Sequence, residues 1–100
     1  MSREMSAGKR GRPRKHPGIA LGMQLEDMGM TKAALARATG YSRKHISELV
    51  SGGANFSAES AIKIGRATGT DGKIWLTMQA AYDFDRSLRD LADWRPAEAA

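Results

Sequence analysis

Two short helix patterns joined by a tight turn, TKAALARATGYSRKHISELVSG at residues 31–52, constrain this 100-residue chain more than any other feature. Thr31 is a hydroxyl N-cap ahead of Lys32, because its oxygen can accept one of the backbone N–H groups that the first helical turn leaves unpaired. The helix it opens runs through Leu35 and Ala36 and stops at Gly40, which takes the left-handed conformation that ends helices. Ser42 caps a second helix only two residues later. The apolar residues of that helix, Ile46, Leu49 and Val50, are spaced three and four apart and share one face. That face has to pack on the preceding helix, where Ala36 is small enough for a close crossing and Leu35 meets Ile46 and Leu49.

The opposite face is left for something else. It carries Arg43, Lys44, Ser47 and Glu48 behind the Ser42 cap, all long or hydrogen-bonding side chains near the N-terminus of the second helix. In a helix-turn-helix that end enters the major groove of DNA, where an arginine or lysine can bind a guanine edge. An ordinary helical hairpin with a wet polar face would account for any one of these features. Their arrival together, with Ala36 four residues before Gly40, a two-residue gap to the cap, Ile46 and Leu49, and a closing Gly52, points to a reader of a specific DNA site.

Charge is located rather than spread. The formal net charge is +5, and residues 1–16 hold Arg3, Lys9, Arg10, Arg12, Arg14 and Lys15 against Glu4 alone, while the remainder balances. Attraction to a polyanion is therefore concentrated in an N-terminal arm, residues 1–15, too poor in apolar side chains to fold by itself and expected to be disordered. Its centre, Arg10-Gly11-Arg12-Pro13, flanked by Lys9, Arg14 and Lys15, resembles the AT-hook, a short minor-groove ligand of A·T-rich DNA. Glycine lets the backbone approach the groove floor, proline holds the chain extended, and arginines suit a narrow groove of strong negative potential. A solvated tail that grips phosphates by counterion release fits the same residues, and the two readings stay open.

Around the motif, His16, Pro17 and Gly18 open a helix with Leu21, Leu25 and Met28 on one face, ended by Gly29. Ser57 caps a fourth helix with a packing stripe of Ala58, Ala61, Ile62 and Gly65, closed by Gly69. A fifth starts near Asp71 and runs past Leu88. Ile74, Ala81 and Leu88 form one seven-residue row along it, and Thr77, Phe84 and Leu91 a second, as in a helix that meets a partner helix. Ile74 and Trp75 are assigned to the domain's own core, whereas Phe84, Leu88 and Leu91 are assigned to a subunit interface. Residues 93–100 read as a flexible tail, with Trp94 exposed. The expected architecture is all-α, five helices in one domain over residues 16–92.

From residue 16 to about residue 90 the chain resembles the HigA-type antitoxins, of the xenobiotic-response-element class of helix-turn-helix regulators. The resemblance is carried by HPG at 16–18, the reader at 31–52, SAESAIKIGRATGT at 57–70 and, most diagnostically, IWLTMQAAYD at 74–83. It implies a lambda-repressor-like fold and a homodimer that binds a palindromic operator in its own promoter, represses its operon and neutralises a small ribonuclease toxin. It places Ser42, Arg43, Lys44, Ser47 and Glu48 toward the bases. Thr31 and Lys32 would hold the phosphate backbone, with His45 and Asn55 as further phosphate candidates. The chain departs from the family in two ways. It has Gly53 and Ala54 where relatives often carry basic residues after the recognition helix, and its basic arm is not a general family feature.

Other functions find little support in the residues. His16 and His45 are the only histidines and there is no cysteine, so a nucleophilic site, a disulfide framework and a thiolate metal site have no material; no cofactor is expected. His45 and Ser47 are two apart on a helix and do not face each other. No apolar run approaches a membrane span, and a cytoplasmic location is expected. A stand-alone repressor without a toxin, and an architectural protein that binds A·T-rich DNA through its arm, remain the alternatives.

Overall fold

The structure, a computed structural model, describes residues 14–97. Their elements are α1 (Pro17–Met28), α2 (Lys32–Thr39), α3 (Arg43–Ser51), α4 (Ala58–Thr68) and α5 (Gly72–Asp90), with no strand among the described residues. Each helix begins where a side chain satisfies its first turn. Thr31 Oγ1 accepts from Ala34 N at 3.0 Å, Ser42 Oγ from His45 N at 3.0 Å, and Ser57 Oγ from Ser60 N at 3.1 Å. The first four helices each end on a glycine of positive φ, at Gly29, Gly40, Gly52 and Gly69. The chain is thus cut into elements by the residues that the sequence reading singled out.

Leu21 and Leu25 of α1, Leu35 and Ala36 of α2, Ile46 and Leu49 of α3, and Ala61 and Ile64 of α4 are buried together with Phe56 and Trp75. Phe56 and Trp75 stack with ring centroids 5.3 Å apart. Three expectations about the core need correction. Met28 is 41 % exposed: at Gly29 the chain doubles back through Gly29 N to Glu26 O and Met30 N to Leu25 O, so Met30 packs on the core instead. The inner face of α4 is Ser60, Ala61, Ile64, Gly65 and Thr68, while Ala58 and Ile62 are exposed. Polar residues can line that face because each closes a local bond, Ser60 Oγ to Ser57 O and Thr68 Oγ1 to Ile64 O. Ile74 is 53 % exposed and does not belong to the core, unlike its neighbour Trp75.

Two close approaches set the helix angles. A Cβ on Gly18 would lie 1.9 Å from the Leu49 carbonyl oxygen, so α1 begins directly against the backbone of α3. On the other side, a Cβ on Gly72 would lie 2.9 Å from Ala61 O, and one on Gly65 2.9 Å from Gly72 N. Only glycine lets α4 and the start of α5 touch through their backbones. α3 is consequently held at its C-terminal end by α1, while α2 packs on α4 and α1 on α5.

A buried amide then ties the loop after α3 to α5. Gln79, 4 % exposed, accepts from Phe56 N at 2.8 Å and donates to Asn55 Oδ1 at 3.1 Å and Asp83 Oδ1 at 3.0 Å. Asn55 Oδ1 also meets His16 Nε2 at 3.0 Å, and His16 Nδ1 accepts from Gly18 N at 2.9 Å, capping α1. With Nδ1 accepting, Nε2 carries the ring proton and donates to Asn55. Replacing Gln79 by leucine leaves the Phe56 N–H buried and unpaired, a loss of about 1–3 kcal/mol. The expected outcome for Gln79→Leu is a melting temperature lowered by about 4–8 °C per kcal/mol, read by thermal circular dichroism; an unchanged transition would refute the tie.

Candidate nucleic-acid interface

The outer surface of α3 follows from its inner one. With Ile46 and Leu49 fully buried, the residues on the opposite face are Lys44, Ser47, Glu48 and Ser51, at i, i+3, i+4 and i+7. Lys44 and Ser51 are exposed, Ser47 and Glu48 half-buried, and Arg43 is exposed at the edge beside Ser47. Among the described residues neither Arg43 nor Lys44 pairs with a carboxylate, in contrast to Lys63 with Glu59 and Arg89 with Asp85. The Ser42 hydroxyl accepts the cap bond and keeps its proton for an outside acceptor. Ser51, absent from the sequence-based set, lies one turn beyond Ser47, and its hydroxyl donates to Glu48 O at 3.3 Å. A helical wheel of the motif would have found it, had the reading not stopped at the N-terminal half of the helix.

His45 sits on the flank rather than the front. Its ring meets Tyr41 edge-on, with centroids 4.7 Å apart, and is half-buried there. Tyr41 is in turn fixed by its hydroxyl donating to Glu59 Oε2 at 3.4 Å and by Lys63 Nζ lying 5.0 Å from its ring centroid. Burial and then the Glu59 charge push the Tyr41 phenol above its ordinary range. The Lys63 ammonium, hydrogen-bonded to Glu59 at 2.8 Å, holds that carboxyl below the usual range. This cluster locks the turn between α2 and α3 to α4, and so fixes how α3 is presented.

Thr31 and Lys32 are exposed at the start of α2, where the first-turn N–H groups also point outward. Asn55 is exposed, but its side-chain oxygen is committed to His16 and Gln79, so only its amide hydrogens remain for an outside group. Lys9, Arg10 and Arg12, and the expected disorder of the arm, lie outside the described residues. Arg14 and Lys15 are described, and they are attached to the fold. The Arg14 N–H donates to Asp85 Oδ2 at 3.3 Å, and His16 meets Tyr82 edge-on at 5.1 Å. The Arg89 guanidinium at 2.7 Å, and after it the Arg14 amide, hold the Asp85 carboxyl below its usual range.

Along α5 and its C-cap Leu91, the exposed Ile74, Phe84, Leu88 and Leu91 continue with Thr77 and the half-buried Ala81 at the strict three-four spacing of a coiled-coil seam. Phe84 is 70 % exposed, Leu88 60 % and Leu91 56 %. With Ile74 also turned outward, the stripe runs the whole length of the helix instead of occupying its second half alone.

Among the described residues no group of three or more His, Cys, Asp or Glu side chains could hold a metal ion. No described helix is long and apolar enough to cross a membrane. The helix-turn-helix family model matches residues 21–75, which spans α2 and α3 whole together with their supports. Virulence-associated protein I of Dichelobacter nodosus is 38% identical over 85 residues, covering 84% of this chain and 79% of that protein. Antitoxin HigA-1 of Vibrio cholerae is 44% identical over 59 residues, 59% of this chain and 55% of that one. Among solved structures, the Pseudomonas aeruginosa antitoxin HigA with the higBA promoter superposes with a TM-score of 0.76 at 28% identity, over 86% of this chain and 99% of that one. The chain belongs to the helix-turn-helix family, and HigA-type antitoxins are among the proteins it is similar to.

Proposed function

We propose that this protein is a sequence-specific DNA-binding repressor that acts as the antitoxin of a toxin–antitoxin module, with α3 as its recognition helix. The observation that carries this reading is the cationic edge of α3, Arg43 and Lys44, which has no carboxylate partner among the described residues and stands outward on a helix held from behind by α1 and α2. In the major groove Arg43 or Lys44 donates to guanine, Glu48 accepts from cytosine, and Ser42, Ser47 and Ser51 add hydroxyl contacts. Thr31 and Lys32 grip a phosphate at the start of α2, and the Asn55 amide and His45 flank the same backbone. A similar antitoxin is known with the higBA promoter, which supports an operator in this protein's own promoter region; that operator is read as a palindrome from the family resemblance.

A palindrome requires two copies, and the α5 stripe supplies the surface. Burying half-exposed Ile, Phe or Leu side chains is worth about 1–2 kcal/mol each. Eight of them across a two-fold pair give roughly 8–16 kcal/mol, against an association cost of about 4–15 kcal/mol. The homodimer is therefore concentration-dependent, and a two-site operator stabilises it further. The toxin is a small ribonuclease, read from the family alone.

Lys44→Ala or Arg43→Ala should lower the preference for one base pair by about 1–3 kcal/mol, measured as relative affinities over single-base operator variants. Lys32→Ala should instead weaken all sequences alike and reduce the salt slope by about 1. Equal losses on every sequence for both α3 variants would remove the base-reading role. Leu88→Lys should convert a two-chain species to a single chain in sedimentation while leaving the helix content unchanged, since Leu88 is 60 % exposed. Co-expression with the adjacent reading frame should yield a complex in which a ribonuclease is silent; a neighbour that neither binds nor cleaves RNA would leave a repressor without a toxin.

A further inference from the structure

We infer that the two N-terminal arms of the dimer meet the DNA between the half-sites, entering the minor groove at the two-fold axis of the operator. This rests on the proposed reading of α3 as recognition helix and α5 as dimer seam, and it assigns the arm a place on that DNA.

The place follows from where the arm is fastened. His16 is fixed to the loop after α3 through Asn55 Oδ1 at 3.0 Å, and a Cβ on Gly52 would lie 3.5 Å from the His16 ring. The arm therefore leaves beside the C-terminal end of the recognition helix. From there it turns onto α5, not away from it. Arg14 N–H meets Asp85, and Arg14 and Lys15 line a cleft of about 370 Å3 with Thr77, Met78 and Ala81. Thr77 and Ala81 also belong to the apolar stripe that receives a second chain. Both arms accordingly start at the seam, one on each side of the axis.

Charge and reach agree with this position. On a two-fold seam that crosses near Thr77 and Ala81, Arg14 and Lys15 of both chains, four cations, stand close together, and Asp85, which accepts from Arg14 N–H, is already bonded to Arg89. A polyanion lying across the axis removes that repulsion. Recognition helices in successive major grooves stand about 34 Å apart, so the intervening minor groove lies roughly 17 Å from each. Arg12 and Arg10 precede Lys15 within five residues, a reach of at most about 18 Å of extended chain. The same loop is the one in which Gly53 and Ala54 offer no basic side chain, so cations from the arm occupy ground that the loop leaves uncharged.

The test uses the full chain and a duplex selected by it from randomised DNA, with half-sites held constant. The central base pairs between the half-sites are then made A·T, G·C or I·C. Inosine keeps the major-groove face of guanine but removes its minor-groove amino group, so I·C resembles A·T in the minor groove. The expected result is that A·T and I·C centres bind alike, about tenfold tighter than G·C, and that an Arg10→Ala, Arg12→Ala double variant loses this difference while keeping its half-site preference. Equal affinity for all three centres overturns the inference, as does a preference that persists in the double variant, which would belong to DNA stiffness, or one found outside the half-sites. Selection that yields no paired half-sites overturns the reading on which it rests.

Discussion

Gln79 is the constraint from which the rest of the structure takes its form. It lies near the middle of α5, yet two of its three hydrogen bonds fix the loop that follows α3, and through Asn55 they reach His16 at the start of α1. One buried amide therefore links the last helix, the reader and the exit of the arm. An amide suits this position because the loop presents both a donor, Phe56 N, and an acceptor, Asn55 Oδ1, and glutamine matches both at once. An ionised acid could not donate, and an apolar side chain would leave the Phe56 N–H buried and unpaired.

That network explains why the segment at 74–83 could be recognised without its meaning being legible. Trp75 donates from Nε1 to Thr70 Oγ1 and stacks on Phe56, Gln79 ties the loop, Tyr82 supports His16, and Asp83 accepts the second amide hydrogen. All of these partners except Asp83, one turn from Gln79 on the same helix, lie on another element or loop, so periodicity alone could not reveal them. The ends of the helices are the opposite case. Thr31, Ser42 and Ser57 cap by bonds to residues three further on, and the closing glycines act through their own φ, so a local reading suffices. Met28 and Ile62 were misplaced for a related reason: a spacing rule assigns apolar residues to the inner face, whereas Met30, Ser60 and Thr68 reach it through a chain reversal or a local hydrogen bond.

The reading surface was legible in its outline and not in its edges. Arg43, Lys44, Ser47 and Glu48 are found where spacing placed them because Ile46 and Leu49 leave no freedom in the rotation of α3. His45 and Asn55 are different. Their neighbours, Tyr41 on one side and Gln79 with His16 on the other, are decided by tertiary packing, and each takes up part of the side chain's bonding capacity. What either can offer to a phosphate is only the remainder.

The two faces of α5 bind the duties of the molecule together. Trp75, Gln79 and Tyr82 face inward and hold the reader, while Ile74, Phe84, Leu88 and Leu91 face outward without a core to cover them. A helix of 19 residues spans about 28 Å, longer than the bundle needs, and the excess carries the most exposed apolar side chains. Rotation of α5 to bury that stripe internally would pull Gln79 from its loop and Trp75 from Phe56, so the stripe can be covered only from outside. A second copy seated there would bear on the same rigid rod that positions α3, and the distance between two reading heads would be set by packing along α5 rather than by a flexible linker. In the proposed dimer, half-site spacing would thereby be a property of the fold, fixed before any DNA is met.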